Sequence, residues 1–422
     1  MVEFLTKYRH NYSIIIVRNF YRTAMDFTVK KTVLVAALLL LAIFSADAQY
    51  LFQDAKNPDT MRSANYDTSP LRNEIIIPQV NGYNVIKADL HVHTMFSDAD
   101  ATPEWRVVEA WCDGLDVIAI TDHIEYRPYE QKMAESMPGY IEASDVAKFS
   151  KSNPKSDLNF PVKMAQERAK VYGITIIPGT EITRDGKTIG HFNALFTTDN
   201  NKIYDKDPLQ AIRNAKAQGA IVQHNHPGWS RTSTDYTEVE AAAYDAGLID
   251  GIEVINGAAS GEFYPKMVSR AIERGMYVSG DTDIHRMTAN DYTQKGGTRA
   301  MTLIFAEDNS LESVRAALEA KRTLAYGFGC VAGPEHLLKG LCQACLAAKF
   351  VRIDSNGRPV MRLTNISSIP FVVRVPGSNP ICLTPFTSSD FKCKTAESKS
   401  LSVVIDNMWC GEAEHPTITF VL

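Results

Sequence analysis

The chain has 422 residues, enough for two or three domains, and its 45% apolar and 22% charged residues exclude a disordered or collagen-like protein. A balance of 44 Lys+Arg against 49 Asp+Glu gives a net charge of −5, which argues against a broad basic face for nucleic acid, and seven cysteines are too few for a disulfide scaffold. Histidine is the informative count: of ten, seven lie between His91 and His285.

Lys30-Lys31 precedes a 13-residue apolar run, Thr32 to Phe44, and then Ser45-Ala46-Asp47-Ala48. A basic start, an apolar middle and small residues at the end predict a signal peptide cleaved after Ala48, with an uncleaved anchor as the alternative. At about 20 Å as a helix, the run is short for a bilayer core of roughly 30 Å. Met25 stands where such a leader usually begins, so residues 1–24 read as an over-extended gene start. Removing residues 1–48 takes away six basic and three acidic residues, leaving 38 against 46, or −8. The expectation is an acidic periplasmic or secreted protein with no transmembrane span after cleavage.

Residues 49–83 are polar and turn-rich and read as an N-terminal arm. From Asn84, apolar runs at 84–90, 115–121, 174–179, 191–196, 220–223, 251–255, 276–279 and 301–305 alternate with helical stretches near 103–113, 162–172, 207–218, 237–246, 264–274 and 310–321. Thr102-Pro103 and Asp207-Pro208 mark helix starts. The alternation predicts an α/β parallel sheet or barrel over 84–330, with chemistry at the C-terminal ends of its strands. A helical stretch at 334–348 then leads to β-like runs at 349–353, 359–364, 370–374, 401–405 and 416–421, predicting a linker helix and a small all-β, sandwich-like domain over 331–422.

Polar residues sit where the strands end. The first run ends in His91-Val92-His93, whose i, i+2 spacing puts both imidazoles on one side. Later runs end in or open with Asp122-His123, Gly179-Thr180-Glu181, Gly190-His191, His224-Asn225-His226 and Asp281-Thr282-Asp283-Ile284-His285. A single histidine at a strand end is more often structural, but so many on successive elements indicate a metal site. Imidazole mixed with carboxylate suits Zn, Mn or Fe rather than Ca.

Asp89-Leu-His91-Val-His93-Thr94, Ser97-Asp98, Ile120-Thr-Asp122-His123, Gly179-Thr-Glu181, Gly190-His191, His226-Pro227 and Asp283-x-His285 resemble the polymerase-and-histidinol-phosphatase (PHP) family over about 87–327. The likeness extends through the β-rich tail to an exported two-domain branch related to bacterial phosphodiesterases of organophosphate esters. It implies a distorted (β/α)7 barrel with two to three divalent metals. By motif, His91, His93, Glu181 and Asp283 hold one metal. Glu181, His191 and His226 hold a second, and Asp98, His123 and His285 a third, Asp98 being the least fixed by the family pattern. Asp122 orients a ligand. His224 has no place in the pattern, and both direct contact and outer support stay open for it.

The implied activity is that of a metal-dependent hydrolase of small phosphate esters, favouring diesters, with metal-bound hydroxide attacking phosphorus in line and Glu181, Asp283 and His285 as catalytic residues. No serine or cysteine nucleophile motif points to a covalent intermediate. Arg127, Arg184, Arg231 and Arg286 follow ligand motifs closely and are candidates to bind phosphate. The segment 124–159 reads as a lid, a substrate wall or an ordinary insertion. Alternatives are phosphomonoester hydrolysis, 3′–5′ cleavage of nucleotides or short oligonucleotides, and a noncatalytic metal- or ligand-binding envelope protein. No stable nucleic-acid partner is expected. Cys382–Cys393 is the preferred disulfide, and Cys342-Gln-Ala-Cys345 lacks the setting of a redox or zinc motif.

Overall fold

The computed structural model describes residues 51–63, 71–137, 156–257, 261–292 and 297–421. The expected leader and much of the segment 124–159 lie outside these. The chain divides into two units, Met1–Pro70 and Leu71–Leu422. In the first, β1 (Leu51–Gln53) and β2 (Met61–Ser63) form an antiparallel hairpin. Among the described residues, no helix is long and apolar enough to cross a membrane.

The second unit begins with β3 (Asn84–Val92), α1 (Pro103–Cys112), β4 (Val117–Ile120), α2 (Glu130–Ser136), α3 (Phe160–Tyr172), β5 (Thr175–Thr183) and β6 (His191–Leu195). Then come α4 (Pro208–Ala217), β7 (Ile221–Asn225), α5 (Glu238–Asp245), β8 (Gly251–Asn256), the short β9 (Glu262–Phe263), α6 (Pro265–Glu273), β10 (Tyr277–Asp281) and the short α7 (Thr288–Asp291). β11 (Met301–Ala306), α8 (Leu311–Glu319), β12 (Thr323–Gly327) and β13 (Cys330–Ala332) complete this region. The helix starts expected from sequence are made by their caps. The Thr102 hydroxyl accepts from the Trp105 N–H with Pro103 in the first turn, and the Asp207 carboxylate accepts from the Leu209 N–H with Pro208 in that place.

The strands form one curled half-barrel sheet in the order β10-β8-β7-β6-β5-β4-β3-β11-β12-β13-β20, where β20 is Met408–Trp409. β3, β4 and β5 run parallel, as do β7, β8 and β10. β6 is antiparallel to β5 and β7, and β11 to β3 and β12, so the sheet is mixed rather than wholly parallel. The reason lies in the connection: residues 184–190 are too few for a crossover helix, so β6 must turn back on β5.

The curl brings the β10 edge back to β3, and carboxylates stitch the seam. Asp281 accepts from the Leu90 N–H (2.8 Å) and the Thr302 hydroxyl (3.0 Å), and Asp89 accepts from the Thr282 N–H (3.1 Å). Arg299, buried with Asp89, donates to it from two nitrogens (2.8 and 3.1 Å). Gly280 leaves room for this approach, since a Cβ there would lie 2.9 Å from the Tyr326 backbone nitrogen. The seam fixes the chain just before Asp283 and His285.

α9 (Glu335–Cys345) leads to two antiparallel sheets. One is β14 (Leu346–Ile353), β15 (Pro359–Asn365) and β18 (Ser388–Lys392). The other is β17 (Ile381–Leu383), β16 (Phe371–Arg374), β19 (Ser400–Ile405) and β21 (Thr417–Val421). Leu363, Phe371, Phe391 and Val403 of these sheets share one apolar core with Leu303 and Leu324 of the half-barrel. All seven cysteines are free, and the expected Cys382–Cys393 pair does not form: Cys382 is exposed on β17 while Cys393 is buried in the core.

Candidate metal centre

His91, at the end of β3, and His93, just beyond it, turn their Nε2 atoms to the same place, as i, i+2 spacing in a strand requires. Asp283, two residues past β10, meets both, its Oδ1 3.3 Å from His91 Nε2 and 3.0 Å from His93 Nε2. Glu181 lies within β5 rather than at its end, because the strand runs on to Thr183. Its Oε1 faces His91 (3.5 Å), His191 (3.4 Å) and His226 (3.7 Å), and its Oε2 faces His93 (3.6 Å) and His123 (2.6 Å). The two oxygens of one buried carboxylate thus address different histidine groups. Asp98 Oδ1 stands 3.4 Å from His123 and 3.1 Å from His285.

All nine residues expected as ligands are therefore brought together. Overlapping sets with ligand atoms within 4.8 Å of one another are His91/His93/Asp283, Glu181/His191/His226 and His93/Asp98/His123/His285. A fourth set, His91/His226/Glu253, contains a carboxylate not expected from sequence. Glu253 is buried in β8, where its Oε2 accepts from the His226 N–H (2.8 Å) and lies 3.4 Å from His91 Nδ1. A single charged residue in the apolar run Gly251-Ile-Glu-Val-Ile was the available signal.

The rings are held from behind. His93 Nδ1 is 3.4 Å from the Ser97 hydroxyl, which donates to Asp122 Oδ1 (2.7 Å); Asp122 also accepts from the Thr94 N–H and hydroxyl, both at 2.7 Å. His285 Nδ1 meets the Asp283 carbonyl (2.8 Å), and His191 Nε2 the Arg184 carbonyl (2.9 Å). Such partners fix ring orientation and tautomer. His226 and Asp283 both take left-handed backbone, with φ of 26° and 50°, a strain typical of residues whose position matters more than their local comfort.

Burial opposes charge throughout; some of the groups hold one another ionised against it, and others yield to it. The Asp283, Glu253 and Glu181 carboxylates outweigh the burial of His91 and keep its imidazole well above the ordinary range. Burial opposes protonation of His123 as well, but Glu181 and Asp98 hold it up at about 10. His93 goes the other way, down to about 4, through burial and then its neighbours His123 and His285. Against their own burial, Glu181 and Asp283 lie well below the carboxylate range because of the surrounding imidazoles. Burial pushes Glu253 up to about 8 against the pull of His91.

The donor set fits divalent metal. His91 Nε2, His93 Nε2 and Asp98 Oδ1 are buried and make no well-formed hydrogen bond; they meet neighbouring imidazoles and Asp283 at 3.0–3.4 Å, the crowding of donor atoms that a shared cation would relieve. Nitrogen and carboxylate donors in these numbers suit transition metals.

A cavity of about 890 Å³ opens over the centre. Arg184 and Arg286 line it, as does Lys187, which the sequence did not single out; Arg184 pairs with Glu125 at 3.0 Å. The other two candidate arginines are engaged elsewhere. Arg127 donates to the His123 carbonyl (2.9 Å) beside Glu130, and Arg231 grips Glu240 through two contacts of 2.9 Å. Neither lines the cavity. His224 also turns away, because it alternates with Gln223 and Asn225 along β7; its ring nitrogens meet Glu240 and the Tyr244 hydroxyl, both at 2.9 Å.

Residues 89–263 match the model of the PHP domain. Among solved structures, the chain is similar to a two-domain protein from Bacteroides vulgatus containing a predicted PHP-like metal-dependent phosphoesterase, with 31% identity, a TM-score of 0.74, and coverage of 84% of this chain and 100% of that one. Weaker likenesses are a proposed metal-dependent phosphoesterase from Bifidobacterium adolescentis (16% identity, TM-score 0.34, 49% and 90% covered) and an amidohydrolase from Chromobacterium violaceum (15%, 0.33, 47% and 87%). No curated protein matches the chain. With its motif-borne ligand set assembled in one centre and a full-length relative at this identity, the chain belongs to the PHP family of metal-dependent phosphoesterase-like proteins.

Proposed function

We propose that this protein is a metal-dependent phosphodiesterase of small phosphate esters, working outside the cytoplasm. The observation that carries the reading is the crowded set of imidazoles and carboxylates on which nine expected ligands converge, seven of them, including Asp98, Glu181 and Asp283, lining a cavity far larger than a phosphate and His91 and His93 buried beneath. His91, His93, Glu181 and Asp283 would hold one ion, Glu181, His191 and His226 a second, and Asp98, His123 and His285 a third. Such ions supply a nucleophile from water near neutral pH and offset the anionic charge that protects a phosphate ester.

The chain's own residues do the rest. Glu181 fixes the spacing of the histidine groups through its two oxygens, and the seam at Asp281 holds Asp283 in its strained place. His285 is the most open of the six imidazoles, at 35% side-chain exposure; with Nδ1 on the Asp283 carbonyl and Nε2 facing Asp98, it would serve as the ligand nearest the cavity mouth. On the cavity wall outside the ligand set, Arg184, Lys187 and Arg286 face Asp185, Asp291 and Glu125, the last held up at about 7 by burial, so the wall carries little net charge. This near-balance favours a diester with one negative charge over a monoester with two.

Purified protein loaded with Mn²⁺ or Zn²⁺ is expected to cleave bis-p-nitrophenyl phosphate faster than p-nitrophenyl phosphate. Monoester preference would overturn the diester assignment, and inactivity on both with metal bound would favour a binding protein. Export rests on the Lys30-Lys31 leader pattern; sequencing of the mature N-terminus in a native host is expected to start at Gln49, and a start at Met1 would contradict it.

A further inference from the structure

Two large aromatic side chains stand open beside the centre. Tyr126 is 54% exposed with its ring 6.0 Å from that of His123. Trp229 is 45% exposed with its ring 5.4 Å from His191 and 5.6 Å from His226. Both line the same cavity, and the His123 and His191 rings they flank are 6.5 Å apart. The aromatics therefore bracket the place where the ester must sit.

Trp229 is also held rigidly. Its backbone N–H donates to the His226 carbonyl (2.9 Å), Ser230 follows in left-handed backbone, and Arg231 anchors the turn on Glu240. The ring lies against Gly186, where any Cβ would come within 2.9 Å of its six-membered edge. The indole is thus packed on one side and open to the cavity on the other. Leaving so much apolar surface wet is unfavourable, and fixing it in place lowers the ordering cost of stacking a ligand on it.

We propose that the group esterified to phosphorus is planar and aromatic, stacking on Trp229 with Tyr126 on the opposite flank. This rests on the phosphoester reading. An aryl or heteroaryl ester matches a cavity that has both π faces and cations, since aromatic rings prefer offset-stacked or edge-to-face neighbours. The fixed indole on the His191 and His226 side sets which end of the ester the ring occupies.

Phosphinates test this without chemistry, because their P–C bonds are not cleaved and they carry a single negative charge, as a diester does. Methyl(phenyl)phosphinate and cyclohexyl(methyl)phosphinate are nearly equal in size and charge, but only the first carries a planar ring. Calorimetry on the Mn²⁺-loaded protein is expected to give the phenyl compound about tenfold tighter binding, from the energy of one aromatic stack. In Trp229→Ala that preference should fall to about twofold or less, with affinity for the cyclohexyl compound little changed. Tyr126→Ala is expected to reduce the preference in part. Equal binding of the two probes to the wild type, or a preference that survives both substitutions, would overturn the inference alone. Failure of both probes to bind would instead bring down the phosphoester reading and the inference with it.

Discussion

At the scale of single residues, much of the centre can be read from the chain because each expected ligand falls in or near the end of an apolar run. Glu253 is marked only by its lone charge in an apolar run; it sits mid-strand, where its carboxylate meets the His91 ring and the His226 backbone from behind. Its loss should loosen both rings: Glu253→Gln is expected to weaken Mn²⁺ or Zn²⁺ affinity about 10–100-fold with the fold intact by circular dichroism. An unchanged affinity would remove it from the account. His224, by contrast, belongs to a buried network with Glu240, Arg231 and Tyr244. Burial raises the Glu240 carboxyl, but His224 and Arg231 outweigh it and hold the group down at about 2, against an ordinary 4.5. A depressed carboxyl stabilises the fold fully above its ordinary value, and that contribution is lost as the pH falls from about 4.5 towards 2. Burial keeps His224 neutral at pH 7, so there Arg231 carries the ion pair, and Glu240→Gln should cost about 1–3 kcal/mol in urea unfolding. The difference from wild type should shrink steadily below pH 4.5; a pH-independent difference would show that packing, not the ion pair, is what Glu240 supplies.

At the scale of elements, the hydrophobic runs marked most strands of the half-barrel, yet not their directions, since a period-2 pattern reads the same both ways. The 184–190 connection made β6 antiparallel, and its shortness was the only sequence clue. β17, β18 and β20 were missed because they are short or largely polar, and their place comes from pairing with β16, β15 and β13. The seam was invisible in sequence for a different reason: it joins residues near 89 to residues near 281 and 299, which no local pattern connects. It is nevertheless where fold and chemistry meet. Gly280→Ala would push a methyl group into the backbone of Tyr326 and Met301, at 2.9–3.1 Å. Overpacking of this kind costs about 1–3 kcal/mol. Because Asp283 follows three residues on, turnover is expected to fall along with stability. Normal urea stability in this variant would mean the seam is not as tight as described.

At the scale of the whole molecule, the β-rich tail was legible as strands and turns, but its attachment was not. Val331 and Ala332 of β13 pair in parallel with Met408 and Trp409, and one apolar core runs from Leu303 and Leu324 to Phe371 and Val403. Ending the chain after Ala332 would bare that core, so such a truncation is expected to be insoluble or to lack a cooperative unfolding transition, whereas a soluble, cooperatively folding product would show that the half-barrel stands alone. The central claim concerns what the assembled molecule does with its ion-binding floor. The most direct test is bis-p-nitrophenyl phosphate turnover during stepwise return of Mn²⁺ to chelator-stripped protein. The account predicts no turnover in the stripped state, a rise that saturates at about two to three equivalents, and no rise in Glu181→Ala. Turnover that persists without metal, or metal uptake that brings no turnover, would contradict it.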